Sequence, residues 1–145
     1  MESTRILAIR HGETAWNVDT RIQGQLNIGL NDTGLWQAKQ VGKALADEPI
    51  AAIYSSDLDR AFTTAKSIAQ SNYSLHQTSG QTYTVQPHTG LRERHFGHFE
   101  GMTWAEIEEQ WPKDAKLWRS RDPHWAPQGG ESLVVLNSLP QHEPS

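Results

Sequence analysis

The sequence predicts an α/β domain built on a mainly parallel sheet, and three features carry that expectation. Ile6-Leu7-Ala8-Ile9 and Ala51-Ala52-Ile53-Tyr54 are short continuous apolar runs, the pattern of strands covered on both faces. After each run, apolar residues recur at helical intervals. The resulting order of strand, helix, strand, helix, strand requires crossover connections, and these make neighbouring strands parallel.

The first helix is expected over residues 31–46, with Ala38, Val41, Gly42 and Leu45 on one face and Asn31 or Asp32 as its cap. A second begins at Ser56-Asp57-Leu58-Asp59, whose Ser/Asp spacing suits a capping box. Its apolar face is Leu58, Ala61, Phe62, Ala65, Ile68 and Ala69. Residues 70–82, rich in Ser, Gln and Thr, read as a surface loop leading to a third strand at Tyr83–Gln86. Thr103 and Glu106 form a second capping box, with Trp104, Ile107 and Trp111 on one face and Pro112 as a stop. Trp118 and Trp125 lie in a stretch without clear period, which reads as an excursion over the sheet edge.

At 145 residues the chain suits one domain with a real core. Thirteen basic against seventeen acidic residues give a net charge of −4, and no run of Lys or Arg forms a nucleic-acid or membrane-surface footprint. The absence of Cys removes disulfides, thiolate nucleophiles and thiolate metal sites. No segment reaches the ~20 apolar residues of a membrane span. A soluble cytoplasmic protein without nucleic-acid or membrane partners is expected.

The chemistry is concentrated where the strands end. Arg10 follows the first strand and Arg60 lies in the first turn of the helix after the second, so both face the carboxyl edge where α/β sheets bind ligands. Two guanidiniums beside backbone N–H groups suit a phosphoryl dianion. His11, next to that positive charge, is hard to protonate and keeps one ring nitrogen free as a nucleophile. Its other nitrogen needs an acceptor, such as a loop carbonyl, to fix the tautomer. Two arginines neutralise the transferring group without a metal, so no cofactor is required. Glu93 is the expected acid for the leaving oxygen, with Glu13 and Glu100 as nearby alternatives and Glu13 better placed to orient the loop. His95 and His98 flank Phe-Gly without a carboxylate pair, and read as loop histidines rather than metal ligands.

The stretches RHGETAWN (10–17), RIQG (21–24), GLNDTGLWQA (29–38), SSDLDRAFTTA (55–65), LRERHFGHFEG (91–101) and GGESL (129–133) together resemble the histidine phosphatase superfamily. The resemblance implies a three-layer phosphoglycerate mutase-like fold with a mainly parallel central sheet. It also implies that His11 accepts the phosphoryl group, that Arg10 and Arg60 bind it, and that Glu93 acts as proton donor and then base. Asn17 and the Gln23-Gly24 turn are implied to help hold the phosphate. Asn27, Gly29 and Asn31 stand where members often carry Asp, Pro and Thr.

Members continue after GGESL with a helix, a core strand and a second active-site His followed by Gly. This chain reads VVLNSLPQHEPS there, and His142 lacks that setting. The expected division is therefore a histidine phosphatase domain at 1–133, incomplete at its C-terminal end, and a divergent or truncated tail at 134–145. An unpaired edge at the first strand would then favour self-association into a homo-oligomer. The implied function is a metal-independent phosphomonoester phosphatase working through phosphohistidine on a small phosphorylated metabolite. The alternatives are a phosphoglycerate mutase-type phosphotransferase or an inactive phosphate-binding fragment.

Overall fold

A computed structural model describes residues 3–77 and 85–133. Its elements in chain order are α1 (Ala15–Val18), α2 (Asp32–Ala44), β1 (Tyr54–Ser55), α3 (Asp59–Ser71), α4 (Tyr73–Gln77), β2 (Gln86–Pro87), α5 (Trp104–Gln110) and α6 (Pro112–Arg119). Two 3₁₀ turns, Thr89–Leu91 and Gly97–Phe99, lie between β2 and α5.

The sheet is short but has the expected sense. β1 and β2 are parallel, with Tyr54 opposite Gln86 and Ser55 opposite Pro87, and α3 lies in the connection between them. The expected first strand, Ile6–Ile9, joins no ladder among the described residues, and Ile6, Leu7 and Ile9 are 83%, 43% and 45% exposed. An apolar run marks a strand only when a neighbour pairs with it, and no described residue does so here. The second strand forms only at Tyr54, the last residue of its run, and the third begins at Gln86. Tyr83, the proposed start of that third strand, lies outside the described residues, as do His142 and the tail at 134–145.

α2 begins where expected because the Asn31 side chain accepts a 2.7 Å bond from Gly34 N. It packs on α3, and the two backbones come so close that a Cβ on Gly42 would strike the Ser67 carbonyl. The predicted Ser/Asp box on α3 does not form. Leu58 is the N-cap and has no side-chain cap bond; Ser56 Oγ accepts from Leu58 N at 3.2 Å, and Asp59 N donates instead to Asn27 Oδ1 at 2.7 Å, while Asp57 pairs with Arg92, Oδ1 to Nε at 2.7 Å. The predicted face of α3 is otherwise buried at Leu58, Ala65, Ile68 and Ala69. Ala65 and Ala69 join Leu75 and Val85 in one core, flanked by Ile50, Ile53 and Phe62.

Part of the predicted 70–82 loop is helical. α4 starts after Asn72, a fully buried side chain that accepts from Leu75 N at 3.1 Å and donates to the carbonyls of Leu45 and Glu48. One polar residue anchors the turn that composition alone reads as loop.

Thr103 caps α5 through Glu106 N at 3.2 Å, one half of the predicted box; the Glu106 carboxylate lies instead 3.4 Å from Arg21 Nη1. Pro112 ends α5 and also occupies the first turn of α6, where its missing N–H costs nothing. Trp118, assigned to an excursion without period, is on α6. With Trp104 and Trp125 it packs around buried Phe99, Ile107 and Ala115, forming a second core. Phe99 stacks on Trp118 with centroids 5.6 Å apart, and Trp104 meets Trp118 edge-on at 5.4 Å. No helix of the described residues is long and apolar enough to cross a membrane.

Candidate active site

Residues 10–14 lead directly into α1. Gly12 N donates to Thr64 Oγ1 of α3 at 3.2 Å, and Glu13 N donates to Gln37 Oε1 of α2 at 2.9 Å. The Glu13 carboxylate accepts from Asn31 Nδ2 at 3.0 Å, the loop-orienting role expected of it. Thr14 then caps α1 through Asn17, with Thr14 N donating to Asn17 Oδ1 at 3.0 Å. The segment after the apolar run is thus pinned to both long helices.

This pinning places His11 in a cavity of about 450 Å³ whose charged walls are Arg10, Arg21, Arg60 and Glu93. Ile22, Gln23, Gly24 and Phe96 complete it. His11 Nδ1 lies 2.6 Å from the Gly12 carbonyl oxygen. A carbonyl can only accept, so Nδ1 carries the hydrogen and the lone pair belongs to Nε2. Burial lowers the His11 pKa, assisted by the charges of Arg60 and Arg10 and opposed by the Gly12 bond and Glu93. Burial outweighs the arginines, the reverse of the emphasis that sequence suggests.

Arg60 is 3% exposed, whereas Arg10 is on the surface. The Arg60 guanidinium donates to the Gly24 carbonyl at 2.5 Å through Nη2 and to the Leu26 carbonyl at 2.6 Å through Nη1. It therefore also fastens the 24–26 turn. Burial lowers its pKa against the raising effect of Glu93 and Glu100, but a guanidinium remains charged at any physiological pH. Glu93 is exposed, and its Oε1 accepts from Arg94 N at 2.7 Å.

Of the residues singled out from sequence, Arg10, His11, Gln23, Gly24, Arg60 and Glu93 line one cavity. Asn17 is not part of its lining, and its amide oxygen accepts from Thr14 N in the α1 cap. Glu100, the alternative acid, is also outside the lining. Its side chain is only 6% exposed, and Oε1 accepts from Gln25 N at 2.8 Å and Phe96 N at 3.2 Å. It stitches the 21–25 loop to the 93–101 segment. Gly24, at φ +53°, must be glycine both for that backbone and because a Cβ would run into the Glu100 carboxylate.

His95 and His98 belong to no cluster of metal-ligating side chains among the described residues. His95 Nδ1 accepts from Gly97 N at 2.9 Å. Sequence reasoning passed over Arg21, Glu100 as a brace, and Phe96, which stacks on Trp118 at 5.1 Å and so backs the cavity with the aromatic core. The only signal for Arg21 was its place beside Gln23-Gly24 in the RIQG stretch.

A family model described as the histidine phosphatase superfamily (branch 1) matches residues 6–138. The glucosyl-3-phosphoglycerate phosphatase of Mycolicibacterium vanbaalenii is 40% identical over 97% of this chain and 59% of its own length. The metal-independent phosphoserine phosphatase of Arabidopsis thaliana is 39% identical over 93% of this chain and 54% of its own. Among solved structures, a mycobacterial glucosyl-3-phosphoglycerate phosphatase in complex with VO3 superposes with a TM-score of 0.73 at 38% identity, covering 87% of this chain and 56% of that one. YhfR from Bacillus stearothermophilus gives 0.72 at 35% identity, covering 88% and 58%. The chain thus spans a little over half the length of these relatives. With its phosphoglycerate mutase-like neighbours and a family match covering nearly all of it, the chain belongs to the histidine phosphatase superfamily, branch 1.

Proposed function

We propose that this chain carries the phosphoryl-accepting site of a metal-independent phosphomonoester phosphatase acting on a small phosphorylated metabolite. The observation that carries the reading is the state of His11: Nδ1–H is committed to the Gly12 carbonyl at 2.6 Å, which leaves Nε2 as a neutral nucleophile in a cavity with Arg10 and Arg60. The names of the relatives, phosphatases of glucosyl-3-phosphoglycerate and of phosphoserine, support the substrate class.

In the proposed reaction Arg10 and Arg60 neutralise the phosphoryl oxygens while His11 Nε2 attacks phosphorus. The ester P–O bond breaks, and the departing oxygen takes its proton from Glu93. Glu93, now a carboxylate, removes a proton from water. The resulting hydroxide attacks the phosphohistidine, the P–N bond breaks, and Nε2 regains its lone pair. Glu93 is exposed, so water reaches the group that would activate it; this favours hydrolysis over transfer to a second substrate.

Incubation with an activated phosphoryl donor tests the assignment. The expected product is an acid-labile, base-stable label on His11, absent from His11→Ala. Equal labelling of His11→Ala would remove the nucleophile.

A further inference from the structure

Asp57 and Arg92 stand on the two chain segments that carry Arg60 and Glu93, and neither lines the cavity. Both segments leave the same end of the sheet. β1 and β2 run parallel as far as Ser55 and Pro87, and His88 N donates to the Ser55 carbonyl at 2.8 Å. Beyond that bond no backbone hydrogen bond joins 56–60 to 89–93 among the described residues. Arg92 closes the gap, with Nε donating to Asp57 Oδ1 at 2.7 Å and Nη2 to Oδ2 at 2.5 Å. Two parallel bonds between a guanidinium and a carboxylate set orientation as well as distance. The two side chains are about a third exposed, so screening keeps the energy of the pair modest, and its geometry is the larger contribution.

Glu93 depends on such an anchor. It is exposed, and the hydrogen bond its carboxylate makes among the described residues is a local one, from Arg94 N to Oε1 at 2.7 Å. A side chain held by its own neighbour goes where its backbone goes. On the C-terminal side that backbone is tied away from α3, through Arg94 Nε to the Glu131 carbonyl at 2.7 Å and Nη2 to the Trp125 carbonyl at 3.3 Å. The Glu93 carbonyl itself accepts one exposed bond, from Gln25 Nε2 at 3.2 Å. On the N-terminal side Arg92 ties it to Asp57, three residues before Arg60. The fork is thus the fixed reference between the acid and the buried phosphate-binding guanidinium.

Resting on the phosphatase reading, we propose that Asp57 and Arg92 are positioning residues for proton donation, whose fork sets Glu93 at the ester oxygen of a phosphoryl group held on Arg60. Neither touches the substrate. The need for that placement scales with the leaving group: an alkoxide is too strong a base to depart unprotonated, whereas a nitrophenolate departs without help. The fork therefore biases the site toward alkyl phosphomonoesters.

The test is the single-turnover rate of His11 labelling in the full chain, from glycerol 3-phosphate and from p-nitrophenyl phosphate. Arg92→Gln should slow labelling from glycerol 3-phosphate by about tenfold or more, a part of the ~10²–10⁴ that a positioned acid contributes, and labelling from p-nitrophenyl phosphate by less than about twofold. Its affinity for inorganic phosphate should be unchanged, which also shows that the variant is folded. Asp57→Asn should reproduce these results, and Arg92→Lys should recover part of the lost rate. In Glu93→Gln the further change Arg92→Gln should cost nothing, because the acid is already gone. Equal slowing with the two esters, or a loss of phosphate affinity, would make the pair structural only and overturns the proposal, as does an unchanged rate with both. A parent that labels His11 from p-nitrophenyl phosphate alone has no working acid to place, and overturns it as well. No labelling from either ester is a separate result, which removes the phosphatase reading and the positioning role with it.

Discussion

Replacing Glu100 by Ala removes a carboxylate that no substrate need touch, and we expect it to weaken both the fold and the phosphate site. Its Oε1 accepts two backbone bonds, at 2.8 Å from Gln25 N and 3.2 Å from Phe96 N. A hydrogen bond to a charged group contributes about 1.5–3 kcal/mol, the longer one at the low end, so truncation should cost about 3 kcal/mol in all. That is a large part of the 5–15 kcal/mol typical of a domain. In urea, with a slope of about 2 kcal/mol/M, the midpoint should fall by about 1.5 M. Glu100→Gln keeps an acceptor and should lose less than half as much. The same loss frees the 21–25 loop from the 93–101 segment, so phosphate affinity measured by titration should fall although Glu100 is outside the cavity. An unchanged unfolding midpoint and unchanged phosphate affinity in Glu100→Ala would refute the bracing role.

Arg10 and Arg60 should separate in the same two assays. Arg10→Ala should cost about 1.5–3 kcal/mol of phosphate affinity with little change in stability, because Arg10 is exposed, whereas Arg60→Ala should lose both. Equal stability of the two variants would remove the structural role of Arg60. For His11, an NMR titration of the free protein should give a midpoint below the ordinary value of about 6.5, since burial and both arginines disfavour the imidazolium. In linkage terms a lowered folded pKa means that the unfolded chain holds more protons between the two values. The contribution of His11 to stability is thus complete above about 6.5 and is lost as pH falls through the folded pKa. A midpoint at or above the ordinary value would contradict this. Gly24→Ala should weaken phosphate binding by displacing Glu100 and straining a backbone at φ +53°, and wild-type affinity in that variant would count against the packed turn.

Local signals were legible in proportion to how local their causes are. Asn31 and Thr103 cap helices through bonds three residues away, so spacing alone finds them. Ser56-Asp57-Leu58-Asp59 has equally good spacing, yet Asp59 N, the donor the box needs, goes to Asn27 Oδ1, thirty-two residues back, and the box is lost. A remote acceptor outcompetes the local hydroxyl, and no pattern in the helix itself can announce it. The Ile6–Ile9 run shows the same limit, because strand character depends on a pairing partner rather than on the run. For the site, motif order located six cavity residues, but Glu100 looked like a rival acid rather than a brace until its amide partners were seen. Asn17 shows the converse, a residue implied to hold phosphate whose amide completes a helix cap.

Arg60 has two duties on one side chain, as a cation for the phosphoryl group and as a clamp on the carbonyls of Gly24 and Leu26. Thermodynamic reciprocity then links them: if ordering the turn presets the guanidinium for an anion, the anion must in return hold the turn in place. Amide exchange at Gln25 and Leu26 should consequently slow when inorganic phosphate is added, making a loop that contributes only backbone oxygens to Arg60 a reporter of site occupancy.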